Sequence, residues 1–131
     1  MSKGGGSRAA RVGERIRAEI MELVMRGELR DPRASGVIVS AVDVTADLSV
    51  ARVWLRSLDP QADAAAQKRM VAAMTGAGGF LRREVGGRLG LRQAPELRFA
   101  WDASADRAAR VEEVLAEVAA ERTAKDEEKK P

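Results

Sequence analysis

The sequence predicts an α+β domain in which three strands form one sheet and helices pack on one of its faces. Three short segments, 37–44, 49–58 and 96–101, carry the strand signal because they are rich in β-branched residues or alternate apolar with polar side chains. Around them, apolar residues recur at the spacing of amphipathic helices. The predicted order is helix, strand, strand, helix, kink, helix, strand, helix, and 131 residues suit one domain.

The first helix is expected over residues 8–26. Its apolar stripe consists of Val12, Ile16, Ile20, Leu23 and Val24. Gly27 fits its stop, and the Asp-Pro-Arg sequence at 31–33 predicts a turn, because proline blocks helix continuation. Only residues 45–48 separate the first two strands, which is short enough for a hairpin. We therefore expect these two strands to pair antiparallel.

The second strand is expected to have two chemically different faces. Its apolar face carries Ala51, Val53 and Leu55, and its other face carries Arg52, Trp54 and Arg56. If helices cover only the apolar face, Trp54 either stacks on a nucleic-acid base or packs under the stems of the two arginines. The sequence favours the packing role. The third strand is expected to place Leu97, Phe99 and Trp101 inward and Arg98 outward.

Glycines divide the middle of the chain into two predicted helices. The first is expected to open at Asp59-Pro60, because proline suits a first-turn position. Three glycines within 76–79 then disfavour straight propagation by about 1 kcal/mol each, which predicts a kink. The second helix buries Phe80, Leu81, Val85 and Leu89. A Gly-x-x-Gly sequence at 87–90 could clamp a nucleic-acid backbone, but its place favours helix termination at Gly90.

The two ends of the chain differ in composition from the middle. A glycine-rich segment, 1–7, is expected to be disordered, residues 8–119 to form the domain, and the charged residues 120–131 to form a disordered tail. A last amphipathic helix is predicted from Val111, Val114, Leu115 and Val118. Either Asp102 or Ser104 could cap it.

Composition excludes several classes of function. The chain has no cysteine and no histidine, which removes disulfides, thiolate zinc sites, thiol catalysis and the usual near-neutral general base. No apolar run is long enough to span a membrane, and the first residues lack the apolar region of a secretory signal. We therefore expect a cytoplasmic protein without a cofactor or a metal ion.

Positive charge is concentrated in the middle of the chain. Between residues 68 and 98 there are seven basic and two acidic residues, a local balance of +5, although the net charge of the whole chain is only +3. The basic residues are Lys68, Arg69, Arg82, Arg83, Arg88, Arg92 and Arg98. Most are arginines, whose planar fork suits phosphate contact. The pattern predicts binding to a polyanion.

Four separate motifs resemble the bacterial ribosome-binding factor A family. They are RGELRDPR at 26–33, VDVTADLSVARV at 42–53, GFLR at 79–82, and LRQAPELRF at 91–99 followed by WDAS at 101–104. The resemblance extends over residues 9–118, with the motifs in the same order and at similar spacings. Agreement of several separate motifs makes it more specific than any one of them.

The resemblance implies a type II KH-like domain in which an interhelical Ala-x-Gly kink, here Ala77-Gly78-Gly79, replaces the usual Gly-x-x-Gly loop. It also implies binding to the small ribosomal subunit and its RNA, assistance in late maturation including RNA processing, and particular importance in the cold. Such a protein is not an enzyme. By family analogy it would act as a monomer, and ribosome-assembly GTPases would be further partners.

The predicted RNA-binding set joins the kink to the basic cluster. It consists of Ala77, Gly78, Gly79, Arg82, Arg83, Arg88, Arg92, Lys68, Arg69 and Arg33. Arg82, Arg83, Arg88 and Arg92 are expected to supply most of the attraction, with Lys68, Arg69 and Arg98 in a secondary role. For each arginine the alternative is a solvated helix face paired with Glu84 or Glu96. Two other functions remain open. One is a metal-dependent nuclease built on Asp43, Asp47 and Asp102; the other is a module that binds an acidic protein or an RNA outside ribosome assembly.

Overall fold

A computed structural model describes residues 7–104 of the chain. Its elements are helix α1 (Arg8–Met25), a 3-10 turn (Pro32–Ala34), strands β1 (Val37–Val44) and β2 (Val50–Ser57), helices α2 (Ala64–Gly76) and α3 (Gly78–Leu89), and strand β3 (Glu96–Trp101). The predicted glycine-rich residues 1–6, the last helix around 111–118 and the tail at 120–131 lie outside the described residues. Within residues 7–104, no helix is both long and apolar enough to cross a membrane.

The three strands form a mixed sheet with β2 in the middle. β1 and β2 pair antiparallel, as predicted from the short connection between them, and β3 runs parallel to β2. At the hairpin, Asp47 accepts hydrogen bonds through Oδ1 from the backbone N–H and the hydroxyl of Ser49, at 3.0 and 2.7 Å. These bonds close the turn and fix the strand register.

Helices cover one face of the sheet, and the core lies between the two layers. Its fully buried members include Ile16, Ile20, Leu23, Val39, Val53, Leu55, Met74, Leu81 and Val85. The predicted alternation in β2 is confirmed, because Ala51, Val53 and Leu55 are buried while Arg52 is exposed. The inward residues of β3 are only half-buried, but they pack against the core as predicted. The predicted α+β class is therefore confirmed.

Local capping interactions set the helix ends. The Ser7 hydroxyl accepts a hydrogen bond from the backbone N–H of Ala10 at 2.9 Å and so caps α1. The predicted stop at Gly27 is confirmed, with α1 ending at Met25. Gly90 ends α3 in the left-handed conformation, with φ of 65°. The Gly-x-x-Gly sequence at 87–90 therefore belongs to a helix terminus, as favoured, because glycine adopts this conformation without strain.

The predicted opening of α2 at Asp59-Pro60 was wrong. α2 begins at Ala64, and Asp63 caps it by accepting a hydrogen bond from the backbone N–H of Ala66 at 2.8 Å. Asp59 instead accepts a hydrogen bond from the backbone N–H of Gln61 at 2.9 Å and shapes a turn. The proline therefore lies in the connection before the helix.

Candidate nucleic-acid interface

Helices α2 and α3 meet at one residue, Ala77, where the sequence predicts the kink. Ala77 ends α2 by donating its N–H to the carbonyls of Ala73 and Met74, both at 3.1 Å. Its own carbonyl accepts a hydrogen bond from the N–H of Leu81 at 2.9 Å, which starts α3. The chain thus passes from one helix to the next without a loop.

The two glycines after Ala77 differ in their surroundings. A Cβ added to Gly78 would lie 3.7 Å from the ring of Phe99, so this position faces β3. Gly79 is exposed, and a Cβ there would meet only Nη1 of Arg83, at 3.6 Å. Neither glycine has a positive φ. Neither glycine is therefore needed for an unusual backbone conformation, and of the two only Gly79 leaves exposed backbone at the junction.

Four predicted cations are exposed and have no charge partner among the described residues. They are Lys68, Arg69, Arg83 and Arg92. Within residues 7–104 none of them forms an ion pair or a hydrogen bond. The guanidinium of Arg83 folds back over Gly79 and so lies beside the helix junction. These four side chains are free to meet phosphate groups.

Arg82 has a structural role although it is exposed. Its Nε and Nη2 atoms donate hydrogen bonds to the backbone carbonyl of Ala94, at 3.0 and 2.8 Å. The two bonds tie α3 to the loop that leads into β3. No carboxylate pairs with this guanidinium within the described chain, so Arg82 adds to the positive field while its orientation is fixed.

Arg88 lies in a group of three carboxylates. Its Nη1 is 3.2 Å from Glu19 and 3.9 Å from Glu22, both on α1, and its Nε is 3.8 Å from Glu84 on α3. The side chain is 29% exposed. The pairing with Glu84 was anticipated from the sequence as the structural alternative, whereas the two α1 carboxylates were not. Arg88 therefore joins α1 to α3, and little of its charge is left for a ligand.

Arg33 and Arg98 each pair with an acid two residues earlier. Arg33 forms a 2.6 Å ion pair with Asp31. The pKa of Asp31 is lowered mainly by the hydrogen bond from the side chain of Arg33 and further by the one from the backbone N–H of Arg33. Arg98 lies 3.1 Å from Glu96, whose pKa is lowered chiefly by the hydrogen bond from Arg98. Both pairs are local, which agrees with a turn-forming role for Asp31.

On the sheet face opposite the described helices, Trp54 lies in the packing role that the sequence favours. The indole Nε1 of Trp54 donates a hydrogen bond to Asp43 at 3.0 Å, and the guanidinium of Arg52 lies 5.7 Å from the ring centroid. This distance is typical of a cation–π contact. The ring thus forms a hydrogen bond at its edge with Asp43 and a cation–π contact on one face with Arg52.

The three acids considered for a nuclease each accept a hydrogen bond within the fold, and only two of them, Asp43 and Asp102, line the same cleft. Asp43 accepts the indole hydrogen bond, Asp47 closes the hairpin, and Asp102 accepts a 2.6 Å hydrogen bond from the hydroxyl of Ser40. Hydrogen bonds from Ser49 and then Thr45 lower the pKa of Asp47. Among the described residues, no group of three or more potential ligands is placed to hold a metal ion.

The structure also reveals a cleft that the sequence does not predict. It lies beside the junction and is lined by Gly27, Glu28, Leu29, Arg30, Ala77 and Phe80, with a volume of about 470 Å³. The segment after α1 and the start of α3 are about fifty residues apart in the chain. No local sequence pattern could have joined them.

These features define a small α+β domain whose helix junction and flanking cations form an exposed basic surface. The family model for ribosome-binding factor A matches residues 8–115. A ribosome-binding factor A from Sorangium cellulosum is 43% identical over 111 residues, covering 85% of this chain and 88% of that protein. One from Alkalilimnicola ehrlichii is 40% identical over 124 residues, covering 95% and 93%. The chain belongs to the ribosome-binding factor A family.

Solved structures agree in fold. The crystal structure of ribosome-binding factor A from Thermus thermophilus superposes with a TM-score of 0.57 at 23% identity, covering 70% of this chain and 93% of that one, and shows likeness of fold alone. A homology model of the Thermus thermophilus factor, fitted into a cryo-EM map of its complex with the 30S subunit, gives a TM-score of 0.50 at 26% identity. That match covers 68% of this chain and 94% of the other.

Proposed function

We propose that this protein binds free or immature small ribosomal subunits and assists their late maturation, including processing of the small-subunit RNA. The observation that carries the proposal is the family match over residues 8–115. The Thermus thermophilus relative described as fitted into a 30S complex supports the small subunit as the partner. The same activity would matter most in the cold, because misfolded RNA rearranges more slowly at low temperature.

The geometry supports a binding surface made of the helix junction and the unpaired cations. Gly79 leaves exposed backbone next to Ala77, and the guanidinium of Arg83 lies beside it. Three more exposed cations, Lys68 and Arg69 on α2 and Arg92 in the loop after α3, add positive charge to these elements. Phosphate contacts of this kind position a protein on RNA without reading its sequence. Arg82 contributes charge at a fixed place, while Arg88 contributes mainly to the fold.

We further propose that the protein acts by binding, as a cytoplasmic monomer without catalytic activity. The structural roles of Asp43, Asp47 and Asp102 support this, because each carboxylate already accepts a hydrogen bond from its own fold. Ribosome-assembly GTPases are further partners by family analogy. Incubating the pure protein with small-subunit RNA and Mg²⁺ should leave the RNA intact, and specific cleavage would contradict this part of the proposal.

Sedimentation with ribosomal particles tests the main proposal. The protein should pellet with free small subunits and much less with complete ribosomes. If four cations each neutralise one phosphate, log affinity should fall with log salt at a slope of about −4 on a duplex and less steeply on a single strand. Polyglutamate provides the control for an acidic protein partner. Three results would overturn the proposal. The protein could bind complete ribosomes as well as free subunits, the slope of log affinity against log salt could be near zero, or polyglutamate at matched charge could displace the protein from small subunits.

A further inference from the structure

The cleft beside the helix junction is built before any ligand binds, because its outer wall is held by a helix-capping motif. The N–H of Gly27 donates to the carbonyl of Val24 at 3.1 Å, and the N–H of Glu28 donates to the carbonyl of Leu23 at 3.0 Å. Gly27 adopts a φ of 74°, which this motif requires. The segment that forms this wall is therefore fixed to the end of α1.

The lining of the cleft combines three apolar side chains with two charged residues, Glu28 and Arg30. Leu29, Ala77 and Phe80 are half-buried and pack on the core from below. Glu28 contributes a carboxylate whose nearest cation, Arg26, is 3.9 Å away. A phosphate would be repelled by this carboxylate, whereas a flat neutral ring carrying N–H donors would suit both the apolar lining and the acceptor. The volume of about 470 Å³ lies within the range of small-molecule pockets.

One cation lines the cleft and a second lies near it on α3. Arg30 belongs to the lining, is exposed, and has no ion pair or hydrogen bond within residues 7–104. Arg83 is not part of the lining, but it follows Phe80 by three residues on α3 and its guanidinium reaches back over Gly79, next to the junction. A cleft that combines an aromatic ring with nearby arginines complements a nucleotide, which has a flat base and charged phosphates on either side.

We propose that the cleft takes a single unstacked RNA base, which stacks on Phe80 while its neighbouring phosphates contact Arg30 and Arg83. Glu28 accepts a hydrogen bond from an N–H group of the base. Recognition of unpaired bases by aromatic side chains is common among RNA-binding domains. The inference rests on the proposed function, because it names the RNA feature that the same surface binds.

The test uses the full chain, free small subunits and two matched variants. Phe80→Leu keeps the apolar volume but removes the aromatic ring, and should weaken binding by about fivefold or more. Trp54→Leu removes a half-buried ring from β2, away from the cleft and from the binding cations, and should leave binding unchanged. Thermal unfolding of both variants shows whether each remains folded at the assay temperature. Arg30→Gln should reduce the salt slope by about 0.9 on a duplex or 0.7 on a single strand.

Chemical probing of the RNA supplies the decisive readout. Dimethyl sulfate and a carbodiimide together probe the Watson–Crick edges of all four bases. The wild-type protein should change the reactivity of one unpaired base, and Phe80→Leu should lose that change while keeping protections elsewhere. Two results for Phe80→Leu would overturn the cleft assignment alone. One is normal subunit binding with the wild-type footprint. The other is weaker binding with an unchanged footprint, which would indicate that the cleft holds a protein side chain. Failure of the wild type to bind subunits would overturn the proposed function itself.

Discussion

Replacing Arg83 and Arg88 one at a time should separate RNA binding from folding. The two arginines lie on the same helix, five residues apart, but in opposite surroundings. Arg83 has no acidic partner within the described chain, whereas Arg88 lies within 4 Å of three carboxylates. We expect Arg83→Gln to weaken binding to small subunits and Arg88→Gln to weaken the fold.

The structure sets the expected sizes. Arg88→Gln leaves Glu19, Glu22 and Glu84 close together without their shared cation. Because this group is only partly exposed, the loss should be about 1 to 2 kcal/mol of unfolding free energy, above the range for an isolated surface pair. For a domain of this size, that lowers the melting temperature by about 4 °C or more. Arg83→Gln breaks no contact within the described residues and should change stability by less than about 0.5 kcal/mol.

Two assays on the same preparations measure the two effects. Thermal unfolding followed by circular dichroism gives the change in stability. Sedimentation with free small subunits over a series of salt concentrations gives the slope of log affinity against log salt. Arg83→Gln should make that slope shallower by about 0.9 on a duplex or 0.7 on a single strand, and Arg88→Gln should leave it unchanged at a temperature where the variant is folded.

One result would refute the reasoning directly. If Arg88→Gln reduced the salt slope while leaving the melting temperature unchanged, its carboxylate contacts would not hold in solution and its charge would be available to RNA. An unchanged slope for Arg83→Gln would show that its free guanidinium does not contact phosphate. Arg17→Gln, which removes a single exposed ion pair with Glu14 on α1, provides the control for nonspecific loss of charge.

Two further predictions concern the fold. A Cβ at Gly13 would lie 2.5 Å from the carbonyl oxygen of Val42, so Gly13→Ala must separate α1 from β1. The free energy of unfolding, measured by thermal unfolding, should fall by about 1 to 3 kcal/mol. The control Gly87→Ala, whose Cβ would meet nothing within 4 Å, should be neutral or stabilising, and equal losses of stability in the two variants would contradict this. The pKa of Asp47 is lowered from its ordinary value of 3.8, so the ionised carboxylate stabilises the fold above pH 3.8, and this contribution is lost as the pH falls through the lowered pKa. Below pH 3.8, the free energy of unfolding measured in urea should therefore decrease less with falling pH in Asp47→Asn than in the wild type. Parallel pH profiles of the two proteins would argue against this.

Much of the fold could be predicted from local pattern because the deciding interactions are local. The alternation of Ala51, Val53 and Leu55 specifies which face of β2 is buried, and the short hairpin specifies its antiparallel partner. The start of α2 could not be decided in this way. Asp59 and Asp63 both suit a helix cap, and only the structure shows that Asp59 is used in a turn.

The candidate site was less predictable, because long-range contacts decide which cations are free. Arg88 reaches a glutamate 69 residues earlier in the chain, and the junction cleft joins two segments that are equally hard to connect by pattern. The basic cluster was read from the sequence as one group. Its division into structural and available members depends on the packing of α3 against α1.

Helix geometry explains how one cluster serves two purposes. Successive residues on an α-helix point about 100° apart, so Arg82 and Arg83 cannot face the same neighbour. Arg82 turns to the carbonyl of Ala94 and Arg88 to the acids of α1, and these contacts hold α3 on two sides. Arg83 then emerges beside Ala77 from a helix whose position is already fixed, so presenting its charge requires little further ordering of the backbone. The count of arginines in the sequence thus overstates the charge available for the proposed RNA contact. Within the described chain, the paired arginines instead fix the helix that carries Arg83.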